Sequence, residues 1–235
     1  MYQQSARYYD ALYASTGKDY AAEARRIAEI IDARKQSPGN ALLDVACGTG
    51  MHLLAFRDRF DCEGLDVGRR MIEIARQRLP EVPLHEREMI AFNLDRKFDA
   101  IVCLFSSIGY VPNVQRLEQA LATFARHLVP GGVLVIEPWF SPNDWVDGHL
   151  NALFVDEPGL KVARFNVSRR DGTTAVMDFH YMVASADGIR SFSEMHRMTL
   201  FTPDEYMRAF AKAGLSASDE RPGLGRGLYI ATKPA

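Results

Sequence analysis

Cysteine is scarce: Cys47, Cys62 and Cys103 are the only three in 235 residues, an odd number without metal-ligand spacing. Each lies in or beside an apolar run, which argues against a disulfide-stapled fold and predicts buried, reduced thiols. Long apolar runs are missing too. Stretches such as 101–105 and 133–136 are far too short to cross a bilayer as helices. Residues 1–10 lack the basic-then-apolar layout of a secretory signal, so the expectation is a soluble, cytoplasmic protein. Neither sign of charge dominates, with 28 Lys plus Arg against 30 Asp plus Glu and a net charge of −2. That balance offers no electrostatic footprint for nucleic acid and no polybasic segment for a membrane. Internal repeats and low-complexity blocks are absent as well. What remains is an ordinary globular composition, 47% hydrophobic and 25% charged. It predicts one large domain, or one domain and a small appendage, handling a small molecule.

The first half alternates in period. Asp19 can cap a helix whose apolar face is Tyr20, Ala24, Ile27, Ile30 and Ile31. After a breaker at 37–40, a short apolar strand is expected over 41–46. Further strands are expected at 62–67, 82–85, 98–105 and 133–137, with helices at 52–60, 69–79 and 114–128. Strand and helix in alternation mean right-handed crossovers and a doubly wound parallel sheet covered on both faces. Ligands of such sheets sit beyond the carboxyl ends of the strands, near the reversal of strand order.

After Trp139 the period changes to two. Segments 161–169, 174–184 and 191–201 alternate, with Asp171-Gly172 and Asp187-Gly188 between them, a hairpin signal. A small antiparallel sheet is therefore expected within 140–201, inserted into an α/β core made of 1–139 and 202–235. A final helix over 203–213 and strands near 215–219 and 227–232 complete that core.

Asp44-Val45-Ala46-Cys47-Gly48-Thr49-Gly50 follows the first strand and opens a helix. Glycines there let a ligand approach the backbone. A dinucleotide fingerprint wants a third glycine three positions on, where this chain has Leu53. A carboxylate before the turn also gains nothing from a diphosphate, so a cationic ligand group fits better. Asp66, 18 residues beyond Gly48 at the end of the second strand, suits a pair of ribose hydroxyls.

Residues 44–50 with Asp66 resemble the S-adenosylmethionine site of the class I methyltransferases. Glu88-Met89 after the third strand and the turn at 128–134 extend the likeness. Residues 42–53, 105–110 and 135–139 resemble the N-methyltransferases of nucleotide-linked amino-sugars in antibiotic pathways. So do Lys18-Asp19-Tyr20, Phe179-His180-Tyr181 and Gly225-Arg226-Gly227-Leu228. The likeness covers nearly the whole chain. It implies a Rossmann-like, mostly parallel seven-stranded sheet, S-adenosylmethionine as cofactor, a dTDP-linked amino-deoxysugar as acceptor, and a homodimer. Tyr9 and Tyr20 would close over the cofactor, Asp66 would hold the ribose, and Glu88 with Met89 the adenine. Ala46, Gly48, Thr49, Gly50, Val67, Met71, Leu104 and Ser106 complete the expected cofactor site. The family of amide and nucleobase-amine methyltransferases carries Asn/Asp-Pro-Pro-aromatic after strand four; here that place holds Phe105-Ser106-Ser107-Ile108, against nucleic-acid and glutamine acceptors.

Two departures stand out. Glu88 replaces the commoner Asp, and Tyr110 stands where related enzymes carry His after Ser-Ser-Ile-Gly. A phenol is a poor base at neutral pH, so either no dedicated base is used or the acceptor differs. A sulfonium methyl is already activated and a neutral amine is already a nucleophile, which favours the first. Tyr110 and Tyr13 are then expected to orient the amine for in-line transfer. For the diphosphate, Arg226 between glycines is the first candidate and Arg164 and His180 are weaker ones. Trp139 either packs on the acceptor or joins the core, Ser107 and Tyr2 border the same region, and no metal ligand is expected. His127 and His149 are expected at the surface; His196 has no assignment. Methylation of another small metabolite at N or O, or cofactor binding without turnover, stay open as alternatives.

Overall fold

The computed structural model describes residues 2–220 and 224–235. Five parallel strands form as the alternation requires: β1 (Ala41–Val45), β2 (Asp61–Asp66), β3 (Leu84–Glu86), β4 (Phe98–Cys103) and β5 (Leu128–Ile136). Ahead of them lie α1 (Tyr9–Ala14) and α2 (Tyr20–Arg34), and between them α3 (Met51–Phe56), α4 (Arg69–Arg78) and α5 (Val114–His127). Asp19 caps α2 by accepting the Ala22 N–H at 2.9 Å. The last helix, α6 (Pro203–Lys212), starts with a capping box between Thr202 and Glu205. β10 (Ser216–Glu220) and β11 (Leu228–Thr232) finish a seven-stranded sheet of order β10-β11-β5-β4-β1-β2-β3, in which β11 alone runs against its neighbours.

Successive residues of each buried strand serve opposite layers. On β4, Ile101 and Cys103 pack with Phe124 of α5 and Phe210 of α6. Ala100 and Val102 pack on the other side with Ile27, Ile31, Phe56 and Ile72. This two-sided burial is why these strands are continuously apolar. β1 lies between β2 and β4, so the strand order reverses there and opens a crevice at the carboxyl ends.

Between β5 and α6 the chain makes a second, four-stranded antiparallel sheet, β6 (Leu150–Glu157), β7 (Leu160–Asp171), β8 (Thr174–Ser185) and β9 (Gly188–Thr199). The Asp-Gly pairs sit at both hairpins but not centrally in the turns. Asp171 pairs Thr174 across Gly172-Thr173, and Ser185 pairs Gly188 across Ala186-Asp187. Its inner face buries Val155, Val162, Met177, Phe179 and Tyr181 against Tyr8 and Leu12 of the N-terminal segment.

Several boundaries differ from the sequence expectation. β6 was not anticipated, because its outward residues Leu150 and Phe154 are themselves apolar and blur the alternation. The short helix α1 was also missed. β5 begins before Pro130-Gly131-Gly132, which a register shift between Phe98 and Ala100 accommodates. α3 ends at Phe56, where a tight turn returns the N–H groups of Arg59 and Phe60 to its carbonyl. His127 is buried, contrary to expectation. Its Nδ1 donates to the Thr123 carbonyl at 2.8 Å and its Nε2 accepts the Leu94 N–H at 3.0 Å, joining α5 to the segment before β4. The three thiols are free and buried, and burial pushes Cys62 up to about 12. No helix among the described residues is long and apolar enough to cross a membrane.

Candidate active site

Two cavities open at the carboxyl ends of the parallel strands. The smaller, about 210 Å³, lies beyond β1 and β2. Ala46 and Gly48 both take positive φ, and a Cβ on Gly48 would meet nothing within 4 Å, so a ligand can lie against bare backbone there. The Gly48 N–H donates to Oδ2 of Asp66 at 2.9 Å and the Gly68 N–H to Oδ1 at 2.6 Å. Those bonds fix the carboxylate with lone pairs left for a ligand. Burial raises the Asp66 carboxyl and the two N–H groups oppose that rise. Val67, Met71, Met89 and Ile90 supply apolar walls, with Glu88 at the rim.

Oδ2 of Asp44, on β1 just before the Gly48 turn, is buried with no hydrogen-bond partner among the described residues, and so is the Tyr20 hydroxyl, which lies by His52 and Lys18. Burial, then the neighbouring Asp66, holds the Asp44 carboxyl well above the usual carboxylate range. An acceptor so placed is matched to a cationic group that restores its charge.

The larger cavity, about 550 Å³, lies between the core and the inner face of the second sheet. Arg164 of β7 projects into it while almost fully buried. Its guanidinium sits 4.4 Å from the Phe179 ring centre, and Nη1 donates to the Tyr13 hydroxyl at 3.4 Å. Among the described residues its Nε has no hydrogen-bond partner and no carboxylate lies within ion-pair distance. Arg226 faces the same space, stacked at 4.7 Å on Trp139 and 4.6 Å on Phe140, with Glu137 3.9 Å away. Tyr2, Tyr9, Ser107 and Tyr110 line both cavities and form the wall between them.

A family model described as a methyltransferase domain matches residues 42–132. A dTDP-3-amino-3,4,6-trideoxy-alpha-D-glucopyranose N,N-dimethyltransferase of Streptomyces venezuelae is 45% identical, over 94% of this chain and 94% of its own. The crystal structure of Streptomyces venezuelae DesVI superposes with a TM-score of 0.91 at 45% identity, covering 97% of each chain. The chain belongs to the S-adenosylmethionine-dependent sugar N-methyltransferases. The SAM-bound structure of CalS10, an amino pentose methyltransferase from Micromonospora echinaspora, matches at a TM-score of 0.86 and 42% identity over 96% of both chains.

In this sugar N-methyltransferase, Tyr9, Ala46, Gly48, Asp66, Val67, Met71, Glu88 and Met89 all line the smaller cavity. Five residues expected there do not. Thr49 turns its hydroxyl to Asp10 at 2.6 Å, and Gly50 starts α3, where a Cβ would press on Leu79. Leu104 is in the core. Ser106 bonds the Pro138 carbonyl, and Tyr20 packs on His52. Tyr2, Tyr13, Ser107, Tyr110, Trp139, Arg164 and Arg226 line the larger cavity. His180 does not. It stands on the outer face of the second sheet, bonded to Asp178 at 3.0 Å, because strand residues alternate and its neighbours Phe179 and Tyr181 take the inner face. The exposed His149 borders the larger cavity.

Three residues were missed. Glu137 accepts the Phe105 N–H at 2.7 Å and so holds the turn after β4, where Phe105 and Ser106 both take positive φ. Its place in Glu137-Pro138-Trp139 after a strand was the signal available. Burial raises it to about 7, against the Phe105 N–H, Lys18 and Arg226. His196 of β9 reaches Tyr110 from the second sheet, with Glu194 beyond it 3.9 Å from its Nε2, an arrangement that no sequence spacing reveals.

Proposed function

We propose that the protein transfers one or two methyl groups from S-adenosylmethionine to the amine of a dTDP-linked amino-deoxysugar. The observation that carries this reading is the pair of cavities sharing one wall, with Asp66 in one and the uncompensated Arg164 in the other. The residues present fit the cofactor: Asp44, two residues before the cavity-lining Ala46, has an orphaned oxygen that would suit a charged amino end, and Asp66 is oriented for hydroxyls. Val67, Met71 and Met89 would flank a purine, with Tyr9 closing the site and Glu88 at the edge. When bound, S-adenosylmethionine supplies a methyl group activated on sulfonium.

The chain's own residues bind and align. Arg164 and Arg226 would take the diphosphate, a role for which Arg164 now ranks first because no carboxylate neutralises it. Trp139 would pack on the acceptor, while Tyr13 and Tyr110 orient its amine at the shared wall and Tyr2 and Ser107 exclude water. Alignment of this kind is worth about 7–11 kcal/mol. Residues 1–139 and 202–235 would form the cofactor-binding core and 140–201 the acceptor side.

The near-neutral charge and the enclosed site support a small acceptor over nucleic acid, and three free buried thiols support a reducing, cytoplasmic setting. A second copy of the chain would cover the exposed apolar outer face of the second sheet, which carries Leu150, Phe154, Phe165 and Met195.

Incubation with labelled cofactor and a dTDP-3-amino-sugar should give mass gains of one and two methyl groups. No gain on that acceptor, with transfer to an unrelated amine, overturns the substrate and keeps the reaction class.

A further inference from the structure

Tyr110 stands at the shared wall with its hydroxyl 2.7 Å from Nδ1 of His196. His196 is fully enclosed: Tyr2 packs 4.5 Å and Phe179 4.8 Å from its ring, and Met177 lies opposite on β8. Among the described residues its Nε2 has no hydrogen-bond partner, and it lies 3.9 Å from Oε2 of Glu194. Glu194 is fixed in turn by the Ser5 hydroxyl and by the N–H groups of Gln4 and Ser5, at 2.7 and 3.2 Å. Burial works against its charge, yet His196 and those donors hold it at about 2, so it is a carboxylate at neutral pH. A carboxylate opposite Nε2 favours the tautomer with its proton there, leaving Nδ1 free to accept from Tyr110.

The reaction read above creates a need for such a chain. Each methyl transfer leaves the nitrogen as an ammonium. A second transfer to that nitrogen must wait until a proton leaves and a lone pair returns. Tyr110 alone is no base, because burial holds its phenol far above the ordinary value.

We propose that Tyr110, His196 and Glu194 form the proton exit of the acceptor amine. The N–H bond of the ammonium breaks and an O–H bond forms on Tyr110, while the phenol's former proton forms an N–H bond on Nδ1 of His196. Glu194 stabilises the resulting imidazolium; once the dimethylated product has left, Nδ1 returns its proton to the Tyr110 oxygen and the phenol gives its own proton to water entering the cavity. Tyr110 touches the amine; His196 and Glu194 act through it as positioning residues. This rests on the acceptor being an amine methylated twice.

The test follows mono- and dimethyl products separately in single-turnover and steady-state assays. His196→Asn and Tyr110→Phe should each slow the second methylation about 100-fold, so that monomethyl product accumulates, while His196→Asn, outside the cofactor cavity, keeps native cofactor affinity by calorimetry. The double variant should be no slower than either single one, as expected for one shared path. Added imidazole should restore the second methylation in His196→Gly. Native dimethylation rates in His196→Asn, or losses that add in the double variant, overturn the relay. A native enzyme that does not methylate the dTDP-amino-sugar overturns the acceptor reading instead, which the native control alone reports.

Discussion

Glu137 shows how a single buried carboxylate can hold a site in shape. Two consecutive non-glycine residues in left-handed backbone, Phe105 and Ser106, cost of order 1–3 kcal/mol each. The Glu137 side chain accepts the N–H of the first, and Ser106 bonds the Pro138 carbonyl. Because the folded state raises Glu137 from 4.5 to about 7, its protonated form is favoured by folding. The stabilisation is full below about pH 4.5 and fades as pH rises through 7, a loss of up to about 3 kcal/mol. Glu137→Gln should therefore flatten the fall in Tm between pH 5.5 and 8, measured by scanning fluorimetry on both proteins. Asp66→Ala should weaken S-adenosylmethionine binding by about 1.5–3 kcal/mol, the scale of a hydrogen bond to a charged group, roughly 10- to 150-fold by calorimetry; unchanged affinity removes the ribose assignment. Arg164→Ala should raise the acceptor KM by a similar factor and leave cofactor affinity alone. Equal loss of both would place that guanidinium elsewhere.

Among the elements, the short 3-10 turn Ser107–Tyr110 connects everything the site needs. It follows β4, contributes Ser107 and Tyr110 to the wall, and touches the second sheet. Gly109 makes that contact possible. A Cβ there would lie 2.8 Å from Cβ of Trp139 and 2.9 Å from Cε of Met198. Gly109→Ala should push the turn off the sheet and break the Tyr110–His196 bond, lowering kcat more than it changes cofactor affinity. Thr202→Ala makes the matching control at α6, where loss of the capping box should cost about 1 kcal/mol with unchanged KM. The elements themselves were largely legible. β1, β2, β4 and α5 are long, periodic and bounded by glycine or proline, and their burial depends on local pattern. β6 and α1 were not, because Leu150 and Phe154 face outward and α1 is a six-residue helix whose Leu12 is buried only by docking on the second sheet.

For the whole molecule, the second sheet has two faces with different fates. The inner one closes the larger cavity. The outer one leaves Phe154 59% exposed and Leu150 73% exposed, beside Phe165 and Met195. If a second chain covers it, Phe154→Asp should shift the protein from dimer to monomer in analytical ultracentrifugation, while a native monomer at the same concentration would remove the dimer reading.

The sequence by itself determined the parallel core, the Gly48 turn and Asp66. All three depend on neighbours in the chain: apolar period, turn chemistry, and the end of a strand. Sequence adjacency groups Thr49 and Ser106 with the cofactor loop, whereas their hydroxyls turn to Asp10 and the Pro138 carbonyl, a direction that adjacency along a loop does not set. Only the tertiary structure decided that His180 faces outward while Arg164 is enclosed without a counter-charge, since register between strands sets the face. It alone brought His196, 86 residues along the chain, to Tyr110, with Glu194 beyond it. Packing of one sheet over another is a long-range outcome, and no local pattern encodes which polar groups it leaves touching.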